Sequence, residues 1–238
     1  MDLSALSLGM IITIVPFYLG LLTFGIPAVR SHHQGALALA LGGAFFFFLD
    51  PIQDTNGLGG FSSALGLDQL VLIAAFGLTF VILAFGKGSG EAWPFWVFAT
   101  GIAIHSFSES AALGEAVRVF FSNVTVALPG SASFVLHKFL EGFVLVAYCT
   151  ASGAKKIGQV ALAGIPMVLL SVSGGLASLL PSLDLSPFLA SAAGGWMLVL
   201  VALGSQLEKK SRPLVIGLVV LGFIIVYSVG LLHSARFG

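Results

Sequence analysis

Long apolar runs dominate the chain and restrict what it can fold into. A bilayer core of roughly 30 Å takes about 20 apolar residues as a helix, and a run of this kind is a candidate span. Eight such runs lie near residues 4–29, 34–53, 68–86, 92–118, 129–152, 157–180, 187–207 and 213–233. The sequence therefore predicts an all-α, polytopic membrane protein with eight transmembrane helices in a single transmembrane domain, residues 1–238.

The composition supports this class and excludes others. The chain is 58% hydrophobic and 8% charged, with a mean hydropathy of +1.07, whereas about a quarter of the residues of soluble domains are charged. Its formal net charge is zero, so no nucleic-acid partner is expected. Cys149 is the only cysteine, which excludes an internal disulfide and a Cys-rich zinc cluster. The first run lacks a cleavage-site pattern and is expected to be a helix, not a removed signal.

Charged residues in the loops predict the orientation in the membrane. Short cytoplasmic loops are enriched in lysine and arginine. The first, third, fifth and seventh predicted loops contain Arg30, Lys87, Lys155, Lys156, Lys209, Lys210 and Arg212. The second and sixth loops contain aspartates and no lysine or arginine. We therefore expect the odd loops in the cytoplasm, both termini outside, and a location in the cell membrane. Arg118 and Arg236 depart from this pattern.

Prolines and small residues predict where helices start, kink and touch. Helix starts are expected near Pro94, Pro129, Pro187 and Pro213, because the first turn of a helix tolerates proline. Kinks are expected near Pro16, Pro27 and Pro166. The small-residue segments LGGA (41–44), SGGLAS (173–178) and SAAGG (191–195) predict close helix contacts. Static packing and a sliding interface between moving bundles would both use such residues.

Ionisable residues deep in the fourth and fifth predicted spans form two matched pairs. His105 precedes Glu109 by four positions, as His137 precedes Glu141, so each pair lies on one helix face. The two helices run antiparallel, which places His105 level with Glu141 and Glu109 level with His137, near the membrane midplane. Two buried carboxylates repel unless one stays protonated or a cation lies between them. Imidazole nitrogens and carboxylate oxygens are ligands for zinc and its first-row neighbours. A hydrogen-bonded pair that joins helices and a proton relay are the alternatives.

The two motifs resemble those of the Zrt/Irt-like (ZIP) family of metal transporters. Family members carry an H-[NS]-x-x-E-G type motif on the fourth of eight helices and an H-x-x-x-E motif on the fifth. Here the segments read His-Ser-Phe-Ser-Glu-Ser from residue 105 and His-Lys-Phe-Leu-Glu-Gly from residue 137. The resemblance, together with the eight spans and external termini, extends over essentially the whole chain.

The resemblance implies a fold, a function and a set of site residues. It implies an inverted repeat that relates helices 1–3 to helices 6–8. It also implies that His105, Glu109, His137 and Glu141 bind the transported ion, which would be zinc or another divalent transition metal such as iron, manganese or cadmium, moved toward the cytoplasm. Ser106 and Lys138 stand at positions that modulate the site. Since an ammonium at Lys138 would take the place of a second cation, we expect one ion, not a binuclear centre.

Other residues are candidates for the pathway, and two other functions stay open. Asp50 and Asp54 could concentrate cations at the outer entrance, and Glu208 lies near the predicted exit; solvated surface positions are the simpler interpretation of each. His32 and His33 are weaker candidates at the inner side. We expect a transporter and no enzyme. The alternatives are a membrane-embedded metalloenzyme, or a non-transporting metal sensor or proton-linked carrier in which Lys138 satisfies the carboxylates. The oligomeric state stays open, with a homodimer as one candidate.

Overall fold

The structure is a computed structural model that describes residues 3–54, 67–85, 93–120, 124–177, 179–180, 184–207 and 212–234. The described residues are all-helical and contain no strand. The helices are α1 (Leu3–Leu21), α2 (Pro27–Ser31), α3 (His33–Asp54), α4 (Leu67–Phe85), α5 (Trp93–Phe120), α6 (Val124–Ala151), α7 (Ile157–Ala163), α8 (Ile165–Ala177), α9 (Ser186–Gln206) and α10 (Arg212–Ser234). A helix lies in each of the eight predicted runs, so the all-helical class is confirmed.

Five helical segments of the described residues are long and apolar enough to cross a membrane, by length and composition. They are His33–Ile52, Ser133–Ala151, Ile157–Ala177, Ser186–Gln206 and Pro213–Leu231. Two further apolar helices, Ile11–Gly25 and Leu70–Phe85, are shorter. Large apolar side chains are exposed along α4 and α10, among them Ile82 and Ile216. Such apolar surfaces are typical of helices that face lipid. These features suggest a membrane protein.

Two of the predicted continuous helices are interrupted. After α1 the chain forms a 3₁₀ turn at Leu22–Gly25 and then an extended residue, Ile26. Pro27 follows at the first position of α2, because the residue before a proline is disfavoured in the helical region. The sixth run is split at Gly164 into α7 and α8, where Pro166 cannot donate a backbone hydrogen bond. The prediction for Pro129 was wrong: α6 already begins at Val124, so Pro129 falls inside the helix.

Backbone contacts at glycines hold the helices together. A Cβ added at Gly20 or Gly142 would collide with backbone of the other helix at the α1–α6 contact, and one at Gly174 would collide with the Phe107 carbonyl of α5. The same applies to Gly42 against α10 and Gly194 against α4. In lipid, where no hydrophobic effect drives helices together, such close approach is a main source of packing energy. The predicted close contacts at all three small-residue segments are therefore confirmed.

Replacement of Gly142 by valine is expected to destabilise the protein by about 1–3 kcal/mol or more, because the side chain would force α1 away from α6. Thermal unfolding in detergent measures the effect. Gly77→Val is the matched control, because Gly77 also lies inside a helix, α4, but a Cβ there meets nothing within 4 Å. Equal melting temperatures for the two variants would contradict the proposed role of the α1–α6 contact.

The two central helices are α5 and α6. Helix α5 packs against α1, α8 and α9, while α6 packs against α1, α3 and α10. The buried core around them includes Phe47, Ile102, Leu145 and Trp196. Because other helices pack around α5 and α6, several polar side chains on these two helices are buried, among them His105, Lys138 and Glu141.

Candidate metal centre

Four side chains from α5 and α6 converge on one point. His105 and Glu109 come from α5, and His137 and Glu141 come from α6. One ligand atom from each lies within 4.8 Å of the other three. We call these four residues the His/Glu cluster. The predicted meeting of the two i, i+4 pairs is confirmed.

The distances between the two helices follow the antiparallel register. His137 Nε2 lies 3.2 Å from Glu109 Oε1, and His105 Nε2 lies 4.0 Å from Glu141 Oε1. Within each helix the corresponding distances are 3.4 Å for His105 to Glu109 and 3.3 Å for His137 to Glu141. Oxygen and nitrogen ligands of a tetrahedral zinc ion lie about 3.3–3.6 Å apart, since each bond is about 2.0–2.2 Å long. Three of the four distances are close to this spacing.

The cluster is buried, and three of its four imidazole nitrogens lack a hydrogen bond among the described residues. The exposed fractions of the His105 and Glu141 side chains are 1% and 0%, and those of His137 and Glu109 are 10% and 13%. Neither Nε2 atom has a hydrogen-bond partner among the described residues, nor does His105 Nδ1. A buried polar atom without a partner is costly and needs a physical explanation. A cation at the point where both Nε2 atoms meet the carboxylate oxygens provides one.

Lys138 lies beside the cluster and joins its two carboxylates. Its side chain is fully buried, and Nζ donates to both oxygens of Glu141, at 3.0 and 2.8 Å. Nζ also forms an ion pair with Glu109 Oε2 and donates to Ser106 Oγ at 2.7 Å. The Ser106 hydroxyl in turn donates to Glu141 Oε2 at 3.5 Å. Lys138 therefore pairs with both glutamates of the cluster.

The glutamates therefore face two sides. Glu109 directs Oε1 to the histidines and Oε2 to Lys138. Glu141 Oε1 lies near both histidines and also accepts from Lys138, and Oε2 accepts from Lys138 and Ser106. The ammonium occupies one side of the carboxylate pair, and the open nitrogens of the imidazoles mark the other side.

Aromatic rings line the histidine side of the cluster. The Phe47 ring lies 4.6 Å from His137 and 4.9 Å from Trp196, between ring centroids. Trp196, which is fully buried, lies 6.2 Å from His105 in an edge-on arrangement. Sequence reasoning missed this lining. The FFFF segment at 45–48 was visible, but which of its rings faces the cluster depends on how α3 packs against α6 and α9.

The pathway residues have different outcomes. Asp50 was predicted at the outer entrance, but the structure places its Oδ2 atom 3.8 Å from His105 Nε2, at the edge of the cluster. Helix α3 packs against α6 and α9, which brings its last part to the site, and a role of Asp50 in the pathway stays a prediction. The Asp54 side chain and the whole of Glu208 lie outside the described residues. His32 is exposed in the segment between α2 and α3, and its ring is hydrogen-bonded to the Ser31 hydroxyl.

Comparison with known proteins gives no relative. No protein-family model matches the chain, and no curated protein sequence matches it. Function must therefore be argued from the cluster itself and from the motif resemblance.

Proposed function

We propose that the chain is a ZIP-like transporter that moves one divalent transition-metal ion at a time toward the cytoplasm. Zinc is the first candidate, with iron, manganese and cadmium as alternatives. The observation that carries the proposal is the buried His/Glu cluster, in which two imidazole Nε2 atoms without hydrogen-bond partners face two carboxylates. An N₂O₂ ligand set of this kind suits several first-row metals.

The surroundings of the cluster favour a passage over a structural metal site. The four side chains come from only two helices; α1 packs against both, whereas α8 and α9 pack mainly against α5, and α3 and α10 pack against α6. A shift of one helix set against the other would open the cluster to one side. Conduction also requires that binding be weak enough for release, and a permanent ammonium beside the carboxylates reduces their attraction for the metal.

The helix contacts support the proposed inverted repeat. An inverted repeat would pair α1 with α8, α3 with α9, α4 with α10 and α5 with α6. Under this pairing the α1–α6 contact corresponds to the α8–α5 contact. The α3–α10 contact likewise corresponds to α9–α4, and α3–α6 to α9–α5; all of these helix pairs pack together. Inverted repeats around a midplane site are common in secondary transporters. Eight spans, with both termini outside the cell membrane, complete this architecture.

The contacts of Lys138 favour a single ion. A second cation would have to lie where Nζ already bonds Glu109, Glu141 and Ser106. Replacement of that ammonium by a metal would require a buried lysine to leave its partners, which is costly. We therefore assign Lys138 and Ser106 to the support of the site and not to a second metal position.

The same lysine also favours the strongest alternative, a metal-independent carrier of protons or a sensor. Lys138 compensates part of the carboxylate charge without any metal. This alternative does not explain why both histidine Nε2 atoms face carboxylate oxygens at 3.2–3.4 Å without a hydrogen bond of ordinary geometry, which is why we rank it second. A membrane-embedded metalloenzyme needs an open coordination position for water and a separate base, and four protein ligands leave little room for both.

Reconstitution into liposomes tests the proposal. Purified protein is expected to move zinc, cadmium, manganese or iron(II) into vesicles faster than protein-free vesicles take them up, as measured with a trapped metal-sensitive dye. A trapped pH dye in metal-free buffer tests the alternative. If the protein moves none of the four metals, metal transport is overturned. If it then moves protons in metal-free buffer, the carrier is supported.

A further inference from the structure

A cleft lies on the side of the helix bundle between α4 and α5. Helix α4 packs along α9 and makes few contacts with α5, and a space of about 240 Å³ remains between them. Its walls come from α4, α5 and α9, and the lining residues include Leu83, Ala84, Val97, Leu198 and Ala202. Two of the walls carry an alanine, which leaves room that a larger side chain would fill. None of the four residues of the His/Glu cluster lines this cleft.

Two stacked aromatic rings form the floor of the cleft. The rings of Phe98 on α5 and Tyr148 on α6 lie 3.9 Å apart between centroids, with only 1° between their planes. Both side chains are buried, whereas Ala84 at the rim is exposed. The Tyr148 hydroxyl is the only polar side-chain group among the lining residues. The cleft therefore offers a ligand an apolar surface and no charged partner.

The cleft lies at the depth of the acyl chains of one leaflet. Helix α9 has 21 residues, so its length of about 31 Å matches a hydrocarbon core of roughly 30 Å. Leu198 and Ala202 precede the last residue of α9, Gln206, by eight and four positions. They therefore lie about 12 and 6 Å from that end of the helix. Tyr148 is also close to a helix end, since α6 ends at Ala151. The whole cleft thus falls within one half of the hydrocarbon core.

The rim of the cleft continues into exposed apolar surface. Four exposed apolar residues each adjoin a lining residue in the sequence: Ile82, Phe85, Trp96 and Val201, with exposed fractions of 65%, 74%, 37% and 54%. Exposed apolar surface of this kind marks a face that contacts lipid or another protein. Because the helices around it are candidate or shorter apolar spans, a ligand enters the cleft from the hydrocarbon phase.

Size and chemistry select the occupant. The volume is below the about 300–1,000 Å³ of sites for drug-sized ligands, so a slim ligand is needed. Water in a cavity needs about two to four polar partners, which this lining does not provide. The segment 86–92, which joins α4 to α5, reads Gly-Lys-Gly-Ser-Gly-Glu-Ala and has no apolar side chain larger than alanine. An acyl chain is slim, apolar and abundant at this depth.

We propose that the cleft binds the acyl chain of a membrane phospholipid, which packs between α4 and α5 on the Phe98–Tyr148 ring pair. The proposal is independent of metal transport. In lipid, helices are held together by packing contacts and not by the hydrophobic effect. The acyl chain then provides the contact that α4 and α5 do not make with each other. A phospholipid bound in this way stabilises the folded protein.

Photolabelling of the full chain in phospholipid vesicles tests the proposal. The probe is a phosphatidylcholine with a diazirine in one acyl chain, and mass spectrometry of peptides locates the label. We expect more label at Val97, Leu198 and Ala202 than at Leu214 and Ile216. The last two lie near the start of α10 and are 65% and 62% exposed, so they report ordinary contact with bulk lipid. Less exposed residues are labelled more strongly only where an acyl chain is bound.

A tryptophan that fills the cleft provides the matched comparison. Ala202→Trp is expected to lower the labelling of Val97 at least about threefold, which corresponds to about 0.7 kcal/mol of binding free energy. Val201→Trp places the same side chain at the next residue of α9, which is exposed, and is expected to leave the labelling unchanged. Ala84→Trp fills the cleft from the opposite wall and replaces Ala202→Trp if that variant does not fold.

The outcomes distinguish an acyl-chain site from its alternatives. Labelling no stronger at Val97, Leu198 and Ala202 than at Leu214 and Ile216 would mean bulk lipid only and overturn the proposal. Equal labelling of Ala202→Trp, Ala84→Trp and Val201→Trp would overturn it as well. Two further results would replace the occupant: crosslinks between two copies of the chain at the cleft, or labelling by a photoreactive free fatty acid but not by the phospholipid.

Discussion

Lys138→Met is expected to destabilise the metal-free protein by about 3–5 kcal/mol, the cost of removing one partner from a buried ion pair. Lys138 is fully buried and contacts both glutamates of the cluster. Its loss leaves two buried carboxylates facing each other without a counter-charge. Methionine fills about the same volume, so the substitution removes the charge without leaving a cavity. Thermal unfolding in detergent with a chelator present measures the effect.

Zinc is expected to stabilise the Lys138→Met variant more than it stabilises the wild type. A divalent ion then provides the only positive charge between the carboxylates, and a ligand that binds the folded state more tightly stabilises it more. Lys155→Met is the matched control, because Lys155 is exposed in the turn between α6 and α7. Two results would contradict the assigned role of the lysine. One is equal melting temperatures of the two variants without metal, and the other is a melting temperature of Lys138→Met that zinc does not change.

His105→Ala is expected to abolish metal flux and to weaken zinc binding about 100-fold or more, since it removes a direct ligand. Neither ring nitrogen makes a hydrogen bond of ordinary geometry among the described residues, although Nε2 lies 3.4–4.0 Å from three carboxylates. The metal-free variant is therefore expected to fold, which separates loss of function from loss of structure. Uptake of zinc into liposomes and zinc titration of the same preparation measure the two effects.

His32→Ala provides the control for His105→Ala. His32 is an exposed histidine in the segment before α3, so its loss removes an imidazole without touching the cluster. Flux close to that of the wild type is expected. If His105→Ala instead transports zinc as well as His32→Ala does, the His/Glu cluster is not on the transport path.

The helices and the central part of the site were predictable because their signals are local. Each apolar run has the length of one membrane span, and the spacing of His105 from Glu109 defines a helix face without any knowledge of the neighbours. Two consecutive helices with short connections run antiparallel, which brings His137 and Glu141 to the same level. Lys138 follows His137 directly, so its place beside the cluster also came from sequence position.

The remaining features depend on packing between distant helices, which leaves little trace in a single sequence. The contact between Asp50 and His105 exists because α3 packs against α6 and α9. From the sequence alone, an aspartate near a helix end is equally compatible with a solvated surface position. The Trp196 lining likewise depends on the approach of α9 to α5 at Gly101 and Gly195. The interruption at Gly164 was not predicted, because a proline in an apolar run is compatible with either a kink or a break.

The site suggests how a lysine and a metal ion can share two carboxylates. Glu109 and Glu141 each direct an oxygen to the histidines and an oxygen to Lys138. One side of the pair is neutralised permanently and the other side is left for a mobile ion. In this account Lys138 limits the occupancy to one ion and reduces the affinity of the site for that ion.

Anomalous X-ray scattering from crystals soaked in zinc or cadmium tests the central claim most directly. We predict one anomalous peak within coordination distance of His105, Glu109, His137 and Glu141, with Lys138 still bonded to the far carboxylate oxygens. No peak among these four side chains, or two peaks with Lys138 displaced, would contradict the account.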